Sequence, residues 1–297
     1  MQRIISVLRS DKKYVEKIRA CRLILVQFTL GMEKVMNNKN GFLQLQDGII
    51  YGPVRSRRLG SSLGVNLLPS SYKLCGFNCV YCQYGPTPPS GFKFQGHDCT
   101  GLPAVEEVRQ ALRNALVKHP DVSYVTFSGN GEATLHPDFD RIVDIAVESR
   151  DSLAPHAKVA ILSNANGVIR ADIHESLMKL DVPIMKLDAG NEDLFKRINR
   201  PHPSIKFNEV IEGLVELDHP NLTIQTLFIR GKVDNTSAES IKVWSDALAA
   251  ISPKAVQIYS LDRPAAESGF LKVDKAELDR IAMQVNEATG IQITAYS

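Results

Sequence analysis

Cys75, Cys79 and Cys82 place three thiols within eight residues at the spacing Cys-x3-Cys-x2-Cys. Thiolates held on one tight loop can supply three corners of a metal site. No fourth ligand is obvious, and an incomplete ligand set leaves room for a substrate or cofactor. An iron–sulfur cluster with one open iron suits three thiolates. A closed structural zinc site needs a fourth ligand, for which Cys99 or His97 is available. Buried inert thiols are the remaining alternative. Lys73 and the loop amides would offset the negative charge of a cluster. Cys21 and Cys99 are too few to hold a second one.

The elements that must carry this loop are legible in the hydrophobic pattern. Residues 63–68 read as a strand leading into the cysteines. Val105, Val108, Leu112 and Leu116 have helical spacing, and 122–127 is a β-branched and aromatic strand. The alternation continues through strands at 159–162, 184–187, 222–229 and 255–258. Thr236-Ser237-Ala238-Glu239 has the form of a capping box opening one of the intervening helices. Residues 274–288 form a last helix and 291–296 a terminal strand. Six strands alternating with helices predict a parallel α/β sheet with right-handed crossovers. Six units are two short of a closed eightfold barrel, so an open, partial (β/α)6 TIM-like barrel is expected. Chemistry in such folds sits beyond the carboxyl ends of the strands. Those ends carry the cysteine loop, Ser128-Gly129-Asn130-Gly131-Glu132, Ser163-Asn164, Asp188-Ala189-Gly190, Arg230-Gly231 and Tyr259-Ser260-Leu261-Asp262-Arg263.

Composition narrows the class. The chain has 297 residues, 44% hydrophobic and 23% charged, with a net charge of +2. That is ordinary for a globular protein and too neutral for a chain that binds nucleic acid through overall charge. Five cysteines in this length do not form a disulfide scaffold and suit the reducing cytoplasm. Residues 1–41 are rich in Lys and Arg and contain no apolar run long enough to span a bilayer. They form an expected basic extension, partly helical and on the surface, ahead of a core domain at 42–297. Neither a secretory signal nor a membrane span is expected.

The sequence resembles the radical S-adenosylmethionine (SAM) superfamily. The superfamily signature Cys-x3-Cys-x-aromatic-Cys is matched by Cys75, Cys79, Tyr81 and Cys82. A Gly-Gly-Glu-like motif is matched by Gly129-Asn130-Gly131-Glu132, with Asn130 inserted. Residues 51–60 and 257–264 resemble a branch grouped loosely with the wyosine tRNA-base synthases and less closely with glycyl-radical activating enzymes. Residues 1–41 depart from that branch's pattern. The resemblance covers roughly 48–297.

It implies a [4Fe-4S] cluster on the three cysteines, with SAM chelating the open iron. One electron then breaks the S–C5′ bond, and a 5′-deoxyadenosyl radical abstracts hydrogen from a substrate. Gly129 and Gly131 would let the backbone approach the methionine end, whose ammonium the backbone or Glu132 would meet. Ser163 and Asn164 suit its carboxylate or the ribose, or else cap a helix. Asp188 suits the ribose hydroxyls. Tyr81 and Tyr259 would flank the adenine or belong to the core. His136 is expected to shape a loop. Arg57, Arg58, Arg230 and Arg263, with Arg55, Arg197 and Arg200 nearby, are candidates for an anionic substrate. The expected substrate is an RNA base or nucleotide-like molecule. The alternatives are an activase that installs a glycyl radical on a partner protein and a zinc-binding interaction protein. A flavodoxin or ferredoxin is the implied electron donor.

Overall fold

The computed structural model describes residues 41–96, 98–263 and 265–297. The N-terminal extension up to residue 40, with Cys21, and His97 in the later loop lie outside the described residues. A first hairpin pairs β1 (Ile50–Ser56) antiparallel with β2 (Gly60–Val65). From there strands and helices alternate. α1 (Val105–Lys118) leads to β3 (Tyr124–Phe127), and α2 (Phe139–Leu153) to β4 (Lys158–Ser163). α3 (Ala171–Met178) leads to β5 (Val182–Lys186). α4 (Glu192–Ile198) and α5 (Phe207–Glu216) precede β6 (Thr223–Leu227), and α6 (Ala238–Ile251) precedes β8 (Ala255–Tyr259). Two short strands, β7 (Ile229–Gly231) and β9 (Phe270–Lys272), pair outside the main sheet. α7 (Lys275–Thr289) and β10 (Ile293–Ala295) end the chain.

The main sheet runs β1-β2-β3-β4-β5-β6-β8-β10. All neighbours after the first hairpin are parallel. β1 and β10 are its two edges, so the sheet is an open, partial barrel: six βα units with one further strand on each side. Parallel strands require both faces covered. One face carries Val65, Val125, Phe127, Val159, Ile161, Met185, Ile224, Val256 and Ile258, packed against Leu112, Ile142, Leu177, Leu214, Leu248 and Ile281 of the helices. Strand alternation then gives Ser62, Thr126, Lys186, Gln225, Gln257 and Tyr259 to the other, concave face. That face is polar: Ser62 and Thr126 hydroxyls are 2.7 Å apart, and Gln225 Nε2 donates to Gln257 Oε1 at 3.1 Å.

Three local details differ from the sequence expectation. The run 222–229 breaks after Leu227, because Phe228 and Ile229 leave the sheet to start the β7–β9 pair. α4 was not anticipated; Asn191 caps it by accepting from the Leu194 amide at 2.9 Å. The cap of α6 is Ser237, one residue later than the capping-box frame requires. Thr236 instead accepts from Arg230 Nε at 3.0 Å and donates to Asp234 at 2.7 Å.

The amino-terminal rim of the barrel is held by structural contacts. Arg150 binds the Ala157 carbonyl at 3.0 Å and pairs with Asp181, while His219 Nε2 meets the Leu180 carbonyl at 2.8 Å. On the helical side Trp244 is 2% exposed, donates to the Leu187 carbonyl at 3.2 Å and packs edge-on against Phe228 at 5.2 Å. Trp244→Ala should therefore lower the unfolding free energy by about 3–5 kcal/mol in denaturant titration. It leaves a large cavity and removes one of the two donors, the other being the Thr226 hydroxyl, on the carbonyl directly before Asp188.

Candidate functional site: a cysteine loop docked on the carboxyl ends of the strands

The cysteine loop is fixed by backbone pairing with the segment after β3. The Leu74 amide donates to the Asn130 carbonyl at 3.0 Å, and the Glu132 amide to the Leu74 carbonyl at 3.0 Å. Gly131 has φ 140°, and a Cβ there would lie 1.8 Å from the Leu74 carbonyl oxygen. Gly129 has φ 135°, and its Cβ would lie 2.5 Å from Asn66 Oδ1. Both glycines are therefore required by the protein's own close approach, apart from any contact with the methionine end of a cofactor.

The polar residues of the same segment are also occupied internally. Asn130 is fully buried. Its amide nitrogen donates to the Gln46 and Pro69 carbonyls at 3.0 and 2.9 Å, and its Oδ1 accepts from the Gln46 amide at 2.7 Å. Both amide hydrogens are thus committed to backbone, and Asn130 is a positioning residue, in place of the cofactor contact expected from the motif. Glu132 is 1% exposed and accepts from the Thr134 amide (3.2 Å), Thr134 hydroxyl (2.8 Å), Ser163 hydroxyl (2.9 Å) and Asn164 amide (2.6 Å). Burial pushes its carboxyl above the usual range despite these four donors. Glu132 thus joins the ends of β3 and β4 and fixes Ser163 and Asn164, in place of a free carboxylate aimed at an ammonium group.

Each cysteine sulfur has a nitrogen donor. Lys73, 4% exposed, places Nζ 3.1 Å from Cys82 Sγ and 2.9 Å from the Gly85 carbonyl. Asn164 Nδ2 lies 3.4 Å from Cys75 Sγ, as does the Phe77 amide. Asn199 Nδ2 lies 3.5 Å from Cys79 Sγ. Donors to sulfur stabilise negative charge on a thiolate. Burial raises the Cys75 thiol to about 11 and the Cys79 thiol to about 12. For Lys73, burial favours the neutral form, but Cys82, Cys75 and Cys79 outweigh it and hold the ammonium charged.

Cys99 is not the fourth ligand of this set. It packs beside Tyr72 and Leu102, and its electrostatic neighbours are Asp98, Lys93 and Tyr72. No three His, Cys, Asp or Glu side chains among the described residues close around one metal ion, which a cluster spread over several irons does not need. The donor set fits such a cluster: three thiols, a buried cation and two amides on the sulfurs. Beside the loop, both amide atoms of Asn166 and the Oδ1 of Asn199 are buried without a hydrogen-bond partner. A Cβ on Gly76 would sit 2.3 Å from Asn166 Nδ2. Unpaired buried polar atoms are costly, and a polar ligand against the loop would satisfy them.

Asp188 lies beneath the loop with its side chain fully buried. It accepts from the Tyr81 hydroxyl, Asn199 Nδ2 (2.7 Å), the Leu227 amide (2.8 Å) and Lys186 Nζ (2.9 Å). Four donors leave it no free lone pair for ribose hydroxyls, so the expected ribose contact is replaced by a positioning role. Tyr81 is 9% exposed, and burial, then Asp188, push its hydroxyl well above its ordinary range. Tyr259 is half-buried, and its hydroxyl lies 3.1 Å from Lys186 Nζ. His136 shapes its loop: Nδ1 accepts from the Asp138 amide at 3.1 Å and Nε2 meets the Pro103 carbonyl at 3.0 Å.

The arginines divide. Arg57 pairs with Asp262, Arg200 with Glu267 and Arg230 with Glu277. Burial raises Asp262, but hydrogen bonds from Arg57 and Lys272 outweigh it and hold the carboxyl below its usual range. Arg263 is exposed. Arg58 stacks over Tyr259 with its guanidinium carbon 4.6 Å from the ring centroid, and its Nη1 is buried without a partner. Lys186, Asn199 and Asn166 were not singled out from the sequence. The signal for Lys186 was present: a charged residue on the inward parity of an apolar strand, two before Asp188.

The profile of the Radical SAM superfamily matches residues 70–242. The chain belongs to the radical SAM superfamily. It is 30% identical over 249 residues to UPF0026 protein MJ1312 of Methanocaldococcus jannaschii, covering 82% of this chain and 72% of that one. It is also 31% identical over 182 residues to a Brachyspira hyodysenteriae protein called GTPase Obg, covering 61% of this chain but only 25% of that protein. Among solved structures, Streptococcus suis SuiB bound to S-adenosylmethionine aligns over 100% of this chain and 61% of its own, at 15% identity and a TM-score of 0.57. The partial barrel is thus the radical SAM fold. As in that superfamily, the cofactors are a [4Fe-4S] cluster and SAM. No helix among the described residues is long and apolar enough to cross a membrane.

Cys79→Ala should lose the iron and acid-labile sulfide that anaerobic reconstitution gives the wild type, whereas Cys99→Ser should retain both. Gly131→Ala should also fall short, because its Cβ collides with the Leu74 carbonyl that seats the loop. Its iron content should drop well below that of the wild type while Cys75, Cys79 and Cys82 remain present.

Proposed function

We propose that this SAM-dependent radical enzyme abstracts hydrogen from a small nucleotide-like substrate held against the concave face of the sheet. The observation that carries the reading is the docking of the three-cysteine loop, with a donor on every sulfur, over a polar inner face. When bound, the cluster would supply the electron for reductive cleavage of SAM, and SAM the hydrogen-abstracting group.

The chain's own residues prepare this chemistry. Lys73, Asn164 and Asn199 place positive or dipolar charge against Cys82, Cys75 and Cys79, which favours an added electron at that position. Glu132 holds Asn164 in place through its backbone amide, and Asp188 holds Asn199. Asn166 and the Asn199 carbonyl oxygen offer unpaired polar atoms to the amino-acid or ribose end of SAM.

A small substrate fits better than an RNA strand. Among the described residues, Arg57, Arg200 and Arg230 are paired with carboxylates within the protein, which leaves fewer free cations for phosphate tracking. We further propose a flavodoxin or ferredoxin as electron donor and the reducing cytoplasm as the compartment, which suits three free thiols.

The decisive experiment is an anaerobic assay with dithionite and SAM on reconstituted protein. Stoichiometric iron and sulfide with release of 5′-deoxyadenosine is the expected result. Stoichiometric zinc with no iron, or wild-type 5′-deoxyadenosine formation by the Cys79→Ala protein, overturns the reading.

A further inference from the structure

Two cations meet at one ring on the inner face of the sheet. Lys186 Nζ, at the end of β5, is 3.1 Å from the Tyr259 hydroxyl and 4.9 Å from the Tyr259 ring centroid. Arg58, in the turn between β1 and β2, stacks on the same ring at 4.6 Å. One carboxylate lies close by: Asp188, 2.9 Å from Lys186. It is shared with the Tyr81 hydroxyl, Asn199 and the Leu227 amide. Arg58 is paired with no carboxylate among the described residues, and its Nη1 is buried with no hydrogen-bond partner. Leaving a charged donor buried and unpaired is among the costlier features a fold can carry. Its neighbour Arg57, by contrast, is matched by Asp262.

The donors left over are complementary to an oxyanion. An ammonium has three hydrogens, and Lys186 commits two of them, to Asp188 and to the Tyr259 oxygen. If Tyr259 accepts from Lys186, its own hydroxyl hydrogen is free to donate. Arg58 Nη1 is free as well. Burial favours neutral Lys186, but Asp188 and Tyr259 outweigh it and keep the ammonium charged. Ser56 and Leu59, which flank the Arg57–Arg58 turn, also line a cavity of about 140 Å³ with Tyr51, Ser62, Thr126 and Ser128. Val54, Gly64 and Leu162 complete its lining and its hydroxyls pair with one another, Ser62 with Thr126 and Tyr51 with Ser128, so it suits a small, largely apolar group beside the anion.

We propose that Arg58, Lys186 and Tyr259 form a subsite for the oxyanion of the substrate, a carboxylate or a phosphate carried on a small organic molecule. This rests on the inner face being the substrate chamber. It gives Tyr259 a substrate-facing role in addition to any contact with adenine, and it singles out Arg58 from the other arginines as the anion ligand.

The test uses the full chain and two probes, acetate and inorganic phosphate, titrated against chloride at constant ionic strength while the thermal unfolding midpoint is followed. One or both probes should raise the wild-type midpoint saturably, and the effective one identifies the group as carboxylate or phosphate. Arg58→Gln should weaken the apparent affinity at least about tenfold. Arg263→Gln, at an exposed arginine beyond β8, should leave it unchanged. Lys186→Met leaves Asp188 short of a donor and is less safe to fold, so Arg58→Gln is the deciding variant, with circular dichroism to confirm its native content. Saturating SAM on the cluster-loaded protein should not displace the anion. The proposal is overturned if the wild type gives no saturable response, if Arg58→Gln responds as the wild type does, or if SAM competes with the anion. Anion binding requires neither cluster nor electron donor, so a negative result here is separable from failure of the 5′-deoxyadenosine assay.

Discussion

A buried carboxylate, Asp188, governs the arrangement of the site. A carboxylate in a low-dielectric interior is tolerated only when donors surround it. Here they come from four places in the chain: Tyr81 in the cysteine loop, Lys186 on β5, Asn199 after α4 and the Leu227 amide at the end of β6. Satisfying that one charge fixes the loop over the sheet and brings the Asn199 amide to Cys79. It also retains Lys186 as a cation beside Tyr259. Glu132 does the same on the other side, linking β3 to β4 and presenting Asn164 to Cys75. Removing either carboxylate would free several donors at once, so the cysteine loop and the strand ends form one cooperative polar layer.

The two rims of the barrel show how the fold separates stability from chemistry. At the amino-terminal rim, Arg150 with Asp181 and His219 with the Leu180 carbonyl are closed contacts that satisfy their own partners. At the carboxyl-terminal rim, Asn166 and Asn199 retain unsatisfied atoms, and Arg58, reaching Tyr259 from the turn that precedes β2, retains another. Buried polar groups without partners are rare in folded proteins, and among the described residues all but the Ser149 hydroxyl on α2 lie around the cysteine loop and the neighbouring inner face. The open side of the sheet, between β1 and β10, is bridged from the hairpin turn: Arg57 reaches Asp262 and the Ser297 carbonyl while Arg58 reaches Tyr259. The turn thus braces the barrel edge and delivers a cation to the inner face.

Much of this was legible in the sequence because it is periodic or local. The strand–helix alternation follows from hydrophobic spacing, and the cysteine spacing depends only on neighbours along the chain. The polar strand ends were correctly located, but their partners were not. Gly131 signalled a close approach without saying that the partner is the Leu74 carbonyl. Glu132 and Asp188 read as free ligands because a sequence does not show that four donors, up to 107 residues away, already occupy Asp188. Asn199 carried no signal, since its role depends on α4 turning it back toward Cys79. The capping-box frame erred by one residue because Ser237 and Thr236 are both competent caps and only the tertiary contact of Thr236 with Arg230 decides between them.

The burial of Cys75 and Cys79 has a consequence for how a metal is taken up. Only a thiolate reacts readily with oxidants, disulfides and electrophiles. Thiols raised to about 11 and about 12 are almost entirely protonated near neutrality. The protein alone therefore holds these two sulfurs in their less reactive, protonated form. A metal that takes these two sulfurs as thiolates must displace their protons, so loading the loop releases acid and is opposed by low pH.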